Sequence, residues 1–74
     1  MHCHPSLKAL GQNLRHQREK REFTQEKLGE LAELDPTYVS GIERGIRNPS
    51  VLSLLRIARA LGVTVARLVE GVDA

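Results

Sequence analysis

Five residues near the middle of the chain are small or hydrogen-bonding and fall on one side of a short predicted helix. They are Thr37, Tyr38, Ser40, Gly41 and Arg44. Hydroxyl groups donate and accept hydrogen bonds, a threonine methyl group suits the methyl of thymine, and arginine binds guanine or phosphate. A helix side without bulky groups can approach the base edges in a DNA groove. The alternative is that these residues form only the solvent-exposed side of a small helix.

Two predicted helices joined by a tight turn must position this face. Thr24 is a suitable N-cap for the first helix, predicted at about residues 25–32. Its apolar residues recur at helical spacing and predict one buried side: Leu28, Leu31 and Ala32.

The second helix has clear signals at both ends. Asp35 is its predicted N-cap, Pro36 occupies the first helical position, and Gly45 ends it. Val39 and Ile42 are predicted to point inward, which leaves the hydrogen-bonding residues on the outside.

Three further helices are predicted, at about residues 6–21, 51–61 and from Thr64 onward, so the fold class is all-α with five helices. Ser50 is the expected cap of the fourth helix, and Gly62 its stop. The apolar residues expected to be buried in these three helices are Leu7, Leu10, Leu14, Leu54, Leu55, Ile57, Ala58, Leu61, Val65, Leu68 and Val69.

The segment from Leu34 to Asn48 reads LDPTYVSGIERGIRN and resembles the helix-turn-helix of the Cro/C1 (XRE-type) bacterial and phage regulators. The likeness extends from about Leu7 to Val69. Its TY, SGIER and RN elements are similar to those of the controller proteins of restriction-modification systems. The resemblance implies a compact lambda-repressor-like DNA-binding domain with its helix-turn-helix at about 24–45. It also implies a sequence-specific transcriptional regulator of the controller or repressor type.

The resemblance also implies roles for residues that flank the groove helix. Gln25 is expected to bind backbone phosphate and to brace that helix, and Arg47 and Asn48 are expected to grip phosphate from the following loop. Lys27 is a further candidate for a phosphate contact, with ordinary surface charge as its alternative.

Arg18 and Glu43 occupy positions at which relatives carry a largely buried ion pair between helices, with a surface location as the alternative. The chain departs from the family pattern at two positions that affect the backbone conformation. Many relatives have glycine where this chain has Glu22 and Glu33. A positive φ there is expected to cost ~1 kcal/mol at each residue. A third departure is Pro36, which replaces an arginine common in controller proteins and removes one possible base contact.

Composition predicts one small domain, residues 6–74, after a flexible tail at 1–5. With 74 residues, 41% of them hydrophobic and 3% aromatic, the core must be small and aliphatic. A single cysteine fits a reducing cytoplasm, and no apolar run approaches the ~20 residues of a membrane span. His2, Cys3 and His4 are adjacent on a terminus and do not supply the four ligands of structural zinc, so no metal site is expected.

Specific affinity for DNA is expected to need two subunits on one site. The net charge of +2 gives only weak, salt-sensitive attraction to DNA. Apolar residues left over in the C-terminal tail, within dimerisation helices at about 50–74, predict a homodimer interface: Val63, Val65, Leu68, Val69 and Val72. A homodimer would bind a pseudo-palindromic operator in double-stranded DNA, with groove helices ~34 Å apart.

The alternative function is an antitoxin-like or other protein-interaction module, in which the apolar tail binds a partner and DNA binding is secondary. An enzyme is not expected, because the chain offers no paired carboxylates on one face, no glycine-rich phosphate loop and no nucleophile with a nearby base. Neither a cofactor nor a small-molecule substrate is expected.

Overall fold

The computed structural model describes residues 4–73, and five helices make up its regular structure. They are α1 (Pro5–Lys20), α2 (Gln25–Ala32), α3 (Pro36–Glu43), α4 (Val51–Leu61) and α5 (Val65–Leu68). No strand occurs in this part of the chain, which confirms the all-α prediction. Within the same residues, none of the helices combines the length and the apolar character that crossing a bilayer requires.

Side-chain caps begin all five of these helices. The predicted caps are confirmed for the last four, where Thr24, Asp35, Ser50 and Thr64 each accept a hydrogen bond from a backbone N–H two or three residues later.

The first helix begins earlier than predicted. The ring nitrogen Nδ1 of His4 accepts a hydrogen bond from the backbone N–H of Ser6 at 3.1 Å, and Pro5 is the first helical residue. The flexible tail predicted at 1–5 therefore does not include these two residues. Met1 to Cys3, with the His2 and Cys3 considered as metal ligands, lie outside the described residues.

One aliphatic core joins the helices. Its buried members are Leu10, Leu14, Leu28, Ala32, Val39, Ile42, Leu54, Ile57, Ala58, Leu61 and Leu68. The inward positions predicted for Val39 and Ile42 are confirmed. The predictions for Leu31 and Leu55 are wrong, because these side chains are 45% and 37% exposed. Successive residues differ by about 100° around the helix axis, so an apolar stripe spans a wide part of the helix surface. Residues at the edge of that stripe are buried only where a neighbouring helix extends over them.

A glycine allows α1 and α3 to pack closely. Gly11 faces the backbone carbonyls of Ile42 and Glu43, and a Cβ at this position would overlap their oxygen atoms. A glycine inside a helix lowers the stability of the helix by about 1 kcal/mol relative to alanine. A glycine within an apolar helical pattern therefore indicates that another backbone packs closely against it. The contact places Glu43 of α3 against the side of α1.

The C-terminal segment folds back onto its own subunit. Leu68 is fully buried in the core, and the side-chain amide of Asn13 donates to the backbone carbonyls of Leu68 and Glu70 at 2.8 and 2.9 Å. The prediction that Leu68 lies at a dimer interface is therefore wrong, because its side chain has no surface left for a second copy. The four valines of the predicted interface are half-buried and pack against the core: Val63, Val65, Val69 and Val72.

Candidate nucleic-acid interface

The turn between α2 and α3 is fixed at both ends. Glu33 ends α2 in the left-handed region, with φ 58° and ψ 45°, and the N–H of Leu34 donates to the carbonyl of Gly29 at 2.8 Å. At the start of α3, a side-chain oxygen of Asp35 accepts the N–H of Thr37 at 2.7 Å. The direction of α3 relative to α2 is therefore set by local hydrogen bonds as well as by the core.

The outer side of α3 carries three of the predicted contact residues. Thr37, Ser40 and Arg44 follow at intervals of three and four residues, so they share one helix face. Thr37 and Arg44 are exposed and Ser40 is half-buried. This face therefore presents small hydroxyl groups in its N-terminal half and a cation at its C-terminal end.

Gly41 does not belong to that exposed face. The residue is buried, and a Cβ built on it would overlap Cγ of Arg47. The prediction that Gly41 contacts DNA directly is wrong, because the side chain of Arg47 covers it. Sequence reasoning missed this packing role, since a pattern of residue types does not show what lies over a glycine.

Tyr38 is a bridge between α3 and α4. Its side chain is half-buried, and its hydroxyl donates to Oγ of Ser53 at 3.4 Å. Ser53 Oγ in turn accepts from the hydroxyl of Ser50 at 3.0 Å. The guanidinium carbon Cζ of Arg47 lies 6.0 Å from the centroid of the Tyr38 ring, within the range of a cation–π interaction.

The loop after α3 presents Arg47 and Asn48, and both are exposed. The backbone N–H groups of Ile46 and Arg47 donate to the carbonyl of Gly41 at 3.0 and 3.2 Å. These hydrogen bonds attach the loop to the last turn of α3, so the two predicted phosphate contacts have a defined position beside the outer face.

Gln25 and Lys27 lie at the start of α2. The Nε2 atom of Gln25 donates to Oε1 of Glu43 at 3.0 Å, which connects the first residue of α2 to the last residue of α3. Lys27 is exposed, and its Nζ lies 3.6 Å from Oε1 of Glu30. An exposed pair of this kind contributes little to stability, so Lys27 can exchange it for another anion.

The predicted pair of Arg18 and Glu43 is present beneath this surface. Arg18 Nε lies 2.6 Å from Oε2 of Glu43 and Nη2 lies 3.0 Å from Oε1, while Nη1 donates to the carbonyl of Phe23 at 2.7 Å. Hydrogen bonding to the Glu43 carboxylate raises the pKa of Arg18 above its ordinary value, against an opposing effect of burial. Glu43 thus holds α1, α2 and α3 together, because it accepts from both Arg18 and Gln25.

Comparisons with known proteins agree with this geometry. A profile of the helix-turn-helix family matches residues 14–68. The control protein C.BamHI from Bacillus amyloliquefaciens is 43% identical over 62 residues, which cover 82% of this chain and 76% of that protein. The crystal structure of the restriction-modification controller protein C.AhdI from Aeromonas hydrophila superposes with a TM-score of 0.87 at 40% identity, covering 88% of this chain and 98% of that one. The biofilm master regulator SinR, solved in complex with DNA, superposes with a TM-score of 0.79 at 31% identity, covering 82% and 98%.

Proposed function

Because the chain belongs to the helix-turn-helix family of transcription regulators, we propose that it binds a specific sequence of duplex DNA through α3 and regulates transcription there. The observation that carries this proposal is the outer face of α3. Thr37, Ser40 and Arg44 share one side of a capped helix, and the exposed residues Arg47 and Asn48 lie next to it. Such a face offers hydroxyl groups and a cation to base edges without bulky groups that would hold the helix out of the groove.

Phosphate contacts are proposed on either side of α3. Gln25, with Lys27 close by, would bind one stretch of backbone, and Arg47 and Asn48 would bind another. The amide nitrogen of Gln25 carries two N–H groups. Its hydrogen bond to Glu43 uses one of them, so the second can be donated to a phosphate while the first keeps α3 in place.

We assign the second subunit of a homodimer to the exposed side of α4. Val51, Leu52 and Leu55 are 71%, 58% and 37% exposed and lie within five residues of one helix. The valines of the C-terminal tail already pack against their own core, whereas these three residues form an apolar surface that a twofold-related copy can cover. Because α4 begins shortly after the Arg47–Asn48 loop, pairing through its N-terminal half keeps both DNA-binding loops close to the dimer axis.

A controller-type role is the most specific form of the proposal. It is supported by the likeness to C.BamHI and C.AhdI, and by the TY, SGIER and RN residues of the chain. Neighbouring genes for a methyltransferase and an endonuclease would support it, whereas a toxin gene would favour the antitoxin-like alternative. We expect the protein in the cytoplasm, associated with the nucleoid through DNA binding.

The test of the proposed function is binding to duplex DNA of random sequence, measured by fluorescence anisotropy over a range of salt concentrations. We expect salt-sensitive binding, which Arg47→Ala weakens at every sequence. Arg59→Ala is the charge-matched control, because Arg59 is also exposed but lies in the groove between α2 and α4 with Leu31 and Ala60. Absence of binding at low salt would exclude the proposal and favour a protein partner.

A further inference from the structure

Arg47 reaches over the last turn of α3 because position 41 has no side chain. A Cβ at Gly41 would overlap Cγ of Arg47 and would lie 3.4 Å from its Nε. Cγ is the second atom of the side chain, and one dihedral angle fixes its position. Arg47 therefore cannot keep its present path over α3 if residue 41 is anything other than glycine.

Tyr38 defines the far end of the same path. The guanidinium carbon of Arg47 lies 6.0 Å from the centroid of the Tyr38 ring, within the range of a cation–π interaction. The ring is itself held, because its hydroxyl donates to Ser53 at 3.4 Å. The side chain of the exposed Arg47 is therefore contacted at two places. Gly41 lies beneath its aliphatic part, and the ring of Tyr38 lies beside its guanidinium group.

We propose that Gly41 and Tyr38 are positioning residues, which hold Arg47 in the conformation that binds a DNA phosphate. The inference rests on the proposed function and adds to it. An arginine on an open surface has many rotamers and loses that freedom on binding. Fixing the side chain beforehand removes part of this loss, which corresponds to a roughly two- to twelvefold gain in affinity for one ordered side chain. Gly41 and Tyr38 then affect DNA binding through Arg47.

The test is a double-mutant cycle with Gly41→Ala and Arg47→Ala, measured on duplex DNA of random sequence, so that no operator need be known. We expect Gly41→Ala to weaken binding about two- to twelvefold and to flatten the plot of log K against log salt by up to about 0.9, the effect of one phosphate contact. In the Arg47→Ala background, Gly41→Ala should have no effect on either quantity, because there is no long side chain left to displace.

Ser40→Ala is the matched control, because Ser40 is next to Gly41 in the same helix and its truncation adds no atom to the path of Arg47. Its effect on binding should be the same in both backgrounds. Melting temperatures of the four proteins of the Gly41 cycle identify any loss of folding, and a loss caused by Gly41→Ala should disappear when Arg47→Ala removes the overlap. Tyr38→Leu, which adds no Cβ, should give the same dependence on Arg47.

The outcomes separate the two proposals. If the wild-type protein binds no DNA, the proposed function fails and the positioning role fails with it. If the wild type binds and Arg47→Ala weakens binding, but Gly41→Ala and Tyr38→Leu cost the same with or without Arg47, the positioning role alone is wrong.

Discussion

Arg18 and Glu43 are 25 positions apart in sequence, yet they form a bidentate salt bridge whose N–O distances are 2.6 and 3.0 Å. Only 13% of the Arg18 side chain and 3% of the Glu43 side chain are exposed. The pair connects α1 to the C-terminal end of α3, and Gln25 adds a bond from α2 to the same carboxylate. The helix proposed to enter DNA is therefore fixed from beneath by an interaction that solvent screens only weakly.

The first prediction concerns this pair. Glu43→Ala should lower the free energy of unfolding by about 3–5 kcal/mol, because Arg18 is then left largely buried without its partner. Urea denaturation followed by circular dichroism measures the change. The control is Glu19→Ala, which breaks the exposed pair of Arg15 and Glu19 and should cost less than about 1 kcal/mol. Similar losses for the two variants would contradict the structural role of Glu43.

The second prediction concerns two glutamates with left-handed backbone. Glu22 and Glu33 both have φ 58°. This agrees with the expectation that relatives have glycine at these positions because glycine tolerates positive φ. Glu22→Gly and Glu33→Gly should each raise the free energy of unfolding by roughly 1 kcal/mol, since glycine adopts positive φ without steric cost. Glu30→Gly is the control, because Glu30 lies inside α2, where the same change should destabilise by about 1 kcal/mol. Thermal melts that show one sign for all three variants would disagree with this account.

The third prediction separates base reading from phosphate binding. Thr37→Ala should reduce discrimination among base pairs by about 1–3 kcal/mol at the position it reads, while affinity for random duplex stays nearly unchanged. Lys27→Ala should instead weaken binding to all sequences alike. Selection of preferred sequences from a random pool, followed by titration of single-base variants, makes the comparison. A uniform loss for Thr37→Ala would show that this residue is not a reader.

The fourth prediction places the dimer interface on α4. Leu52→Arg introduces a charge into the apolar surface of Val51, Leu52 and Leu55 and should give monomers with weakened operator binding. Sedimentation equilibrium measures the assembly state. Leu31→Arg is the control, since Leu31 is also partly exposed but belongs to α2. If the Leu52→Arg variant remains dimeric, the interface is not on α4, and the valines of the C-terminal tail become the candidate interface.

The fifth prediction assigns Leu68 to the core. Leu68→Ala should lower the free energy of unfolding by about 2–5 kcal/mol, the usual cost of truncating a fully buried leucine. Leu52→Ala, at an exposed site, should change the stability of the monomer by less than about 0.5 kcal/mol. Denaturation at concentrations where the protein is monomeric measures both. Equal effects would mean that Leu68 is not buried as the structure has it.

Local signals in the sequence predicted the starts of the last four helices. Thr24, Asp35, Ser50 and Thr64 cap helices because each side-chain oxygen reaches an N–H only two or three residues away. The outward positions of Thr37, Ser40 and Arg44 on α3 followed from the same short-range rules. A likeness in sequence located Arg18 and Glu43, whose contact across 25 positions no local rule predicts.

Only the tertiary structure decided which apolar residues are covered and what lies over the glycine of α3. Leu68 is buried and Leu52 exposed although both are helical leucines, because burial depends on neighbours supplied by distant parts of the chain. Gly41 is small, as a groove-facing residue should be. The loop that follows α3 nevertheless folds back and places the side chain of Arg47 across it. Periodicity gives the direction in which a side chain points, and the packing of the other helices determines what it meets there.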